Sequence, residues 1–166
     1  MSETDPSEFD IAPTAMVFVA WSRIWSPLVD DALRREAWQQ LELPGDFDST
    51  AADFLRAFHV AMPQPPATLL LHAALNQDGG NVREDFVRIM EYLDVEYEDA
   101  GRLPPDHLAC ACELFALAIH ADEPVLVQGL RERYLGPWCV GAGRALGGHE
   151  VLAAIVAQFT GDLAAI

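Results

Sequence analysis

The stretch LPPDHLACACELFALAIH, residues 103–120, decides the fold. Two prolines precede Asp106, and the apolar residues that follow continue through Leu114 and Leu117 to His120. Proline is common just before or at the start of a helix, and Asp is a preferred N-cap residue. The stretch therefore predicts a loop that enters a helix, with Asp106 as the cap.

The rest of the chain repeats this helical pattern. From Thr14 to Trp25, apolar residues recur at intervals of three and four, which is typical of one face of a helix. Similar patterns predict helices over residues 29–41, 50–62 (with Ser49-Thr50 as the cap), 67–75, 82–93, 124–134 and 150–163, with a loop over residues 77–81. Alternation of β-branched residues never persists. The prediction is an all-α, single-domain helical bundle of about seven to nine helices over residues 14–166, after a flexible acidic lead-in over residues 1–13.

The composition is that of a folded domain with an unusual charge. Apolar residues make up 51% and charged residues 22% of 166, which excludes an intrinsically disordered chain. The 26 acidic residues stand against 10 basic ones, all Arg, for a formal net charge of −16. Such a surface repels nucleic acid and anionic membranes and favours a cationic partner, such as a peptide that carries Arg. The alternative is that the acidity only keeps the protein in solution.

The sequence also indicates a compartment. The first residues are acidic, unlike a secretory signal, and no apolar run is long enough to span a bilayer. The cysteines, Cys110, Cys112 and Cys139, form an odd set that is typical of a reducing compartment. We therefore expect a cytoplasmic protein without stable membrane insertion. Cys110 and Cys112 would point to nearly opposite sides of a helix, so we expect no metal there.

One set of chemistry-bearing residues stands out. Asp106, Glu113 and His120 are spaced by seven and would share a helix face with Cys110 and Leu117. No phosphate-binding glycine loop or nucleophile elbow accompanies them. From the residues alone, Asp106 could be only a cap and Glu113 only a solvated carboxylate.

Three segments carry a resemblance to a known family. LPPDHL (103–108), followed by ELFA (113–116), resembles the Pro-x-Asp-His signature of the TorD/DmsD/NarJ redox-enzyme maturation chaperones. DFLRAF (53–58) is similar to their acidic-aromatic-x-Arg-Leu-Phe helix, and YLGPW (134–138) to their His-Leu-x-Pro-Trp segment. The likeness extends over about residues 14–160. The chain departs from the family where Ala111 replaces the first carboxylate of a Glu-x-Glu pair and where Tyr134 replaces His.

The resemblance implies a TorD-like helical fold and a binding function without a catalytic step or a cofactor of its own. The implied partner is the catalytic subunit of a molybdopterin-dependent enzyme of the DMSO-reductase superfamily, or its twin-arginine leader peptide. The chaperone would assist insertion of the molybdenum cofactor before export or assembly, and would itself be a monomer or homodimer.

The resemblance also implies a set of client-binding residues. In that set, carboxylates would bind the guanidinium groups of the leader, since Arg pairs with a carboxylate through two hydrogen bonds. His107 would orient Asp106 or bind a peptide carbonyl, and apolar side chains would form the groove wall. The predicted residues are Pro105, Asp106, His107, Glu113, Phe115, Leu117 and Trp138. Trp138 could instead be a core residue.

Two alternatives remain open at the sequence level. A small all-helical enzyme would use Asp106, His107 and Glu113 for acid–base chemistry and would need a closed polar pocket. A structural subunit of a larger complex would instead present a broad, flat apolar face.

Overall fold

The chain forms a bundle of α-helices in a computed structural model that describes residues 11–97 and 102–166. The acidic lead-in predicted for residues 1–13 lies, up to residue 10, outside the described residues. The helices are α1 (Pro13–Trp25), α2 (Asp31–Gln40), α3 (Phe47–Phe58), α4 (Leu71–Ala74), α5 (Gly79–Tyr92), α6 (Leu108–His120), α7 (Pro124–Leu130), α8 (Gly136–Ala145) and α9 (Glu150–Ala164). A π-helical turn, Arg131–Leu135, makes α7 and α8 one continuous helix.

The predicted all-α fold is confirmed, and several helix ends differ from the prediction. Asp46, not Ser49-Thr50, caps α3, because its carboxylate accepts the Ser49 N–H at 3.0 Å. The helix ends at Phe58 rather than Met62. Residues 79–81, predicted as loop, are the first turn of α5, since the Asp78 carboxylate accepts the Asn81 N–H and caps the helix in spite of two glycines.

The apolar segment 67–75 is irregular up to its isolated bridge at Leu70, where a buried helix was predicted. Only the short α4 is helical, and Leu70 instead forms an antiparallel bridge with His107. The Ala67 N–H is bonded to Ala57 O at 3.0 Å, and Thr68 O accepts the indole N–H of Trp138 at 2.9 Å. Because these partners satisfy the backbone, the segment can be buried without forming a helix.

The π-helical turn between α7 and α8 has a cause in the sequence. Pro137 has no N–H, and its ring would clash with the carbonyl four residues earlier if the α-helix were regular. The chain widens by one residue immediately before it, and the Gly136 N–H bonds to Arg131 O, five residues back. The sequence pattern predicted a helix only to residue 134 and did not include α8. The π-helical turn lets the helix that begins at Pro124 continue into α8.

The core is centred on α1, which packs along α6 and places large aromatic side chains between α3, α8 and α9. The Phe18 and Phe115 rings lie 4.6 Å apart, and the Trp25 ring lies 5.4 Å from Trp138 and 5.6 Å from Phe159. Edge-to-face and stacked contacts of this kind stabilise beyond simple apolar burial. Among the helices of the described ranges, none is long and apolar enough to cross a membrane.

Candidate functional site

Asp106 lies where three parts of the chain meet. The carbonyl of Asp106 accepts the Leu71 N–H at 3.0 Å. Two residues later, Leu108 donates its N–H to Leu69 O at 2.8 Å. These two bonds hold the segment that enters α6 against the segment that enters α4. The signature residues 105–108 are therefore part of the buried framework.

The carboxylate of Asp106 is fully buried and bound by residues of this chain. Oδ2 accepts the backbone N–H of His72 at 3.1 Å and lies 2.5 Å from the ring Nδ1 of the same residue. Oδ1 accepts the Arg83 Nε–H at 3.1 Å. Asp106 thus already holds an imidazole from α4 and a guanidinium from α5, and its side chain is 0% exposed.

The prediction that Asp106 caps α6 was wrong. The N-cap residue is His107, whose ring Nδ1 accepts the Ala109 N–H at 3.1 Å, and the helix begins at Leu108. Burial, and then the nearby His59, lower the pKa of His107 to about 4. A neutral ring is what the cap requires, because a protonated Nδ1 could not accept a hydrogen bond.

Three more of the predicted site residues lie in the interior. Pro105 is buried, and Phe115 is 0% exposed against Phe18. Trp138 is 1% exposed and uses its N–H internally, on Thr68 O. Their part in client binding stays a prediction, and in this structure it would be indirect, through the shape of the surface that they support.

Glu113 and Leu117 lie at the surface and line a groove beside α6. The groove has a volume of about 290 Å³. Its walls come from the loop after α1, the end of α5 and the chain beyond it, the approach to α6, and α6 itself. The lining residues, here called the α6 groove, are Ser26, Leu28, Val29, Met90, Val95, Glu96, Tyr97, Arg102, Leu103, Cys110, Glu113, Leu114 and Leu117.

The groove combines apolar walls with a carboxylate whose ionisation is held back. Glu113 keeps an exposed edge, yet burial on its groove side raises its pKa, an effect that the Arg102 charge opposes. Burial and then Glu113 raise the pKa of Cys110 to about 12, so its thiol stays protonated. The groove therefore presents a carboxylate and a protonated thiol beside apolar side chains.

The structure does not join the three residues of the enzyme alternative. Asp106 faces His72 and Arg83, His107 caps α6, and Glu113 faces the groove. No hydrogen bond connects any two of these side chains. Within residues 11–97 and 102–166, no three His, Cys, Asp or Glu side chains are grouped to hold a metal ion.

His72 and Arg83, the partners of Asp106, were missed by the sequence analysis. His72 is the one polar side chain in the apolar run from Leu69 to Leu75, which was a usable signal that it has a buried partner. Arg83 lies in an ordinary amphipathic helix and gives no such signal. Spacing along α6 could not reveal either residue, since they lie 34 and 23 positions away from Asp106.

Comparison with known proteins places the fold. No protein-family model matches the chain, and no curated protein matches it by sequence. Among solved structures, the crystal structure of a proposed redox enzyme maturation protein from Archaeoglobus fulgidus is similar, with a TM-score of 0.63 and 16% identity. The match covers 97% of this chain and 99% of that one. The two proteins share one fold over nearly their whole lengths, in agreement with the family resemblance in the sequence.

Proposed function

We propose that this protein is a chaperone that binds a redox enzyme during its maturation, and that the α6 groove receives an arginine-bearing segment of that client. The fold shared with a proposed redox enzyme maturation protein is the observation that carries the proposal. The three sequence segments that resemble the TorD/DmsD/NarJ chaperones support it independently of the fold.

The finer part of the proposal concerns the client. We propose that it is the catalytic subunit of a molybdopterin-dependent enzyme, bound in the cytoplasm through its twin-arginine leader. The leader offers two guanidinium groups followed by an apolar stretch. The α6 groove offers the carboxylates of Glu96 and Glu113 beside exposed Leu28 and Leu117.

The net charge of the chain also supports the binding of a cationic segment. The chain carries a formal charge of −16, so a cationic segment is attracted from a distance before it makes contact. Within the groove, Arg102 already acts on Glu113, as its effect on the pKa shows. An incoming guanidinium would favour the charged form of Glu113 in the same way, because it too is a cation.

Glu113 is the side chain to change first. We expect Glu113→Gln to weaken binding of a synthetic peptide, two adjacent arginines followed by an apolar stretch, by about tenfold or more, since a charge-assisted hydrogen bond is lost. Titration calorimetry measures the affinity. Glu36→Gln, an exposed carboxylate on α2, is the matched control and should leave the affinity unchanged. An unchanged affinity for the Glu113 variant would remove the groove from the proposal.

The client itself is identified by capture. The tagged, full-length protein is recovered from its native cytoplasm and its partners are identified by mass spectrometry. A molybdopterin-dependent catalytic subunit as the dominant partner supports the whole proposal. A redox enzyme of another class would keep the maturation role and overturn the molybdenum assignment. Enrichment of no redox enzyme would overturn the function.

A further inference from the structure

The α6 groove offers its charge and its apolar surface at two points that are one helical turn apart. Glu113 and Leu117 stand four residues apart on α6, so their side chains share a face and are separated by about 6 Å along the helix axis. Leu28, which is 62% exposed, adds apolar surface from the loop after α1. A segment that contacts both Glu113 and Leu117 therefore needs a cation and an apolar side chain at the same separation.

The spacing of side chains along an extended peptide matches this separation. Successive side chains of an extended chain point to opposite faces, and those of residues i and i+2 lie on one face about 6.7 Å apart. An arginine that faces Glu113 thus brings the second residue after it to the level of Leu117. The arginine next to it in a twin-arginine leader points to the opposite face, away from the groove.

The size of the groove suits the same two side chains. Its volume of about 290 Å³ is roughly twice the ~150 Å³ of an apolar cavity that holds one benzene molecule. Two side chains, one arginine and one apolar residue, fill such a space. A second arginine beside them would exceed it.

The charges of the groove also favour a single arginine. Among the lining residues that the structure describes, Glu96 and Glu113 are negative and Arg102 is positive, so one carboxylate is left for a cation of the client. Burial raises the pKa of Glu113 and of Cys110, and the Arg102 charge acts in the opposite direction on both, which places Arg102 near them. A second guanidinium at this place would be repelled by Arg102.

We propose that the α6 groove binds one arginine of its client and, in an extended chain, the apolar side chain two residues further on. The inference rests on the proposed function, from which it takes the arginine-bearing client. The unit of recognition is then Arg-x-apolar, with the arginine at Glu113 and the apolar side chain at Leu117. The adjacent arginine of a leader stays in solvent and acts only through the net charge of the protein.

Two peptides of equal composition test the spacing. In Arg-Gln-Leu-Gln-Leu-Gln the leucines share a face with the arginine, and in Arg-Leu-Gln-Leu-Gln-Gln they lie on the opposite face. Titrations followed in ¹H–¹⁵N spectra of the whole protein measure both affinities. We expect the first peptide to bind about fivefold or more tightly, since only its leucines reach the groove with the arginine. Equal affinities, or tighter binding of the second peptide, would overturn the inference.

Leu117 and Leu33 supply matched variants of the protein, because each side chain is 40% exposed and only Leu117 lines the groove. Leu117→Gln should reduce the preference for the first peptide to less than about twofold. Leu33→Gln, on α2, should leave the preference intact. A preference that survives in the Leu117 variant, or that falls equally in both variants, would assign it to a place other than this groove.

Four further peptides count the arginines. They share one apolar stretch and begin with Arg-Arg, Arg-Gln, Gln-Arg or Gln-Gln. We expect each single-arginine peptide to bind within about threefold of Arg-Arg, because either arginine can occupy the one place, and Gln-Gln to bind about tenfold or more weakly.

The outcome of this count separates the inference from the proposed function. A loss of about tenfold for each arginine replaced would show that both are bound, which overturns the inference and keeps the groove as an arginine site. Equal affinity of all four peptides, or binding of none, would overturn the groove as an arginine site and the inference with it.

Discussion

At the scale of single residues, Asp106 matters most as a buried carboxylate that is bound by two side chains of this chain. Two of its oxygens take three hydrogen bonds, from His72 and Arg83. A helix cap would contribute about 1 kcal/mol to stability. A buried carboxylate that holds an imidazole and a guanidinium contributes more, because its removal leaves both side chains without their partner.

We expect Asp106→Ala to lower the free energy of unfolding by about 2–4 kcal/mol, a range reduced from the fully buried case because Arg83 is partly exposed. Urea denaturation followed by circular dichroism measures it. Asp48→Ala, which breaks the exposed pair with Arg35, is the control and should lower the free energy of unfolding far less, because water screens an exposed ion pair. A loss of only about 1 kcal/mol for the Asp106 variant would show that the buried contacts contribute no more than an ordinary helix cap does.

Two histidines with lowered pKa values, His59 and His107, should make the stability of the protein depend on pH. Burial lowers the pKa of His59 and of His107 to about 4, against about 6.5 in the unfolded chain. The unfolded state therefore binds more protons between these values, and stability should fall as pH falls from about 6.5 towards 4, by up to about 1.4 kcal/mol per pH unit for each ring.

Urea midpoints between pH 7 and 4.5 measure this slope. His107→Asn keeps a capping side chain and removes one titrating ring, so we expect a shallower slope. His120→Asn changes an exposed histidine of the same helix and serves as the control. A slope that is unaffected by the His107 substitution would contradict the assignment of the acid sensitivity to that ring.

The sequence analysis singled out Asp106, whose client-binding role stays a prediction, and did not find its neighbours His72 and Arg83. Spacing along one helix relates residues three, four and seven apart, whereas the partners of Asp106 are distant in sequence. The same limit applies to Phe115 and Trp138, since an apolar side chain suits a groove wall and a core equally well. Helical spacing placed Glu113 and Leu117 on one face with Asp106, and the structure exposes the first two and buries Asp106.

At the scale of elements, the π-helical turn before Pro137 depends on Gly136. A Cβ built on Gly136 would lie 2.9 Å from Arg131 O, the atom that accepts the Gly136 N–H. Since the obstacle is backbone, a side chain cannot be accommodated by a change of rotamer. The turn therefore requires glycine for space, and its φ of −62° is open to any residue.

We expect Gly136→Ala to destabilise the protein by about 1–2 kcal/mol, as overpacking against a fixed atom usually does. Gly141→Ala lies in the same helix with nothing within 4 Å of the new Cβ, and should stabilise by about 0.5–1 kcal/mol. Thermal unfolding of the two variants compares them directly. Stabilisation by both substitutions would show that the turn relaxes to an ordinary helix.

The helices with the strongest apolar periodicity, α2, α3 and α5, were predicted from the sequence because their burial follows one helical face. The segment 67–75 was mispredicted because a short apolar run is compatible with helix and extended chain alike. Its conformation depends on the bridge to His107 and on the Trp138 indole, which belong to distant parts of the chain.

At the scale of the whole molecule, the acidic balance should govern the approach of a cationic client. The screening length falls from about 10 Å at 0.1 M salt to about 3 Å at 1 M. We expect the affinity for the twin-arginine peptide to fall steadily over that range. A matched peptide with Gln in place of both arginines should show little dependence on salt. Parallel curves for the two peptides would assign the binding to apolar contacts.

The contacts of Asp106 have a further consequence for the entropy of the chain. The bond between Asp106 and His72 ties together two points that are 34 residues apart, so α5 and much of one groove wall belong to a single closed loop. The cost of closing a loop grows only with the logarithm of its length, by about 0.6 kcal/mol per doubling. Lengthening the loop should therefore be tolerated, because the backbone bonds from Leu71 to Asp106 and from Leu108 to Leu69 close it together with the carboxylate. Met90, Val95 and Leu103 of the α6 groove thus belong to a loop that is closed by residues that do not line the groove.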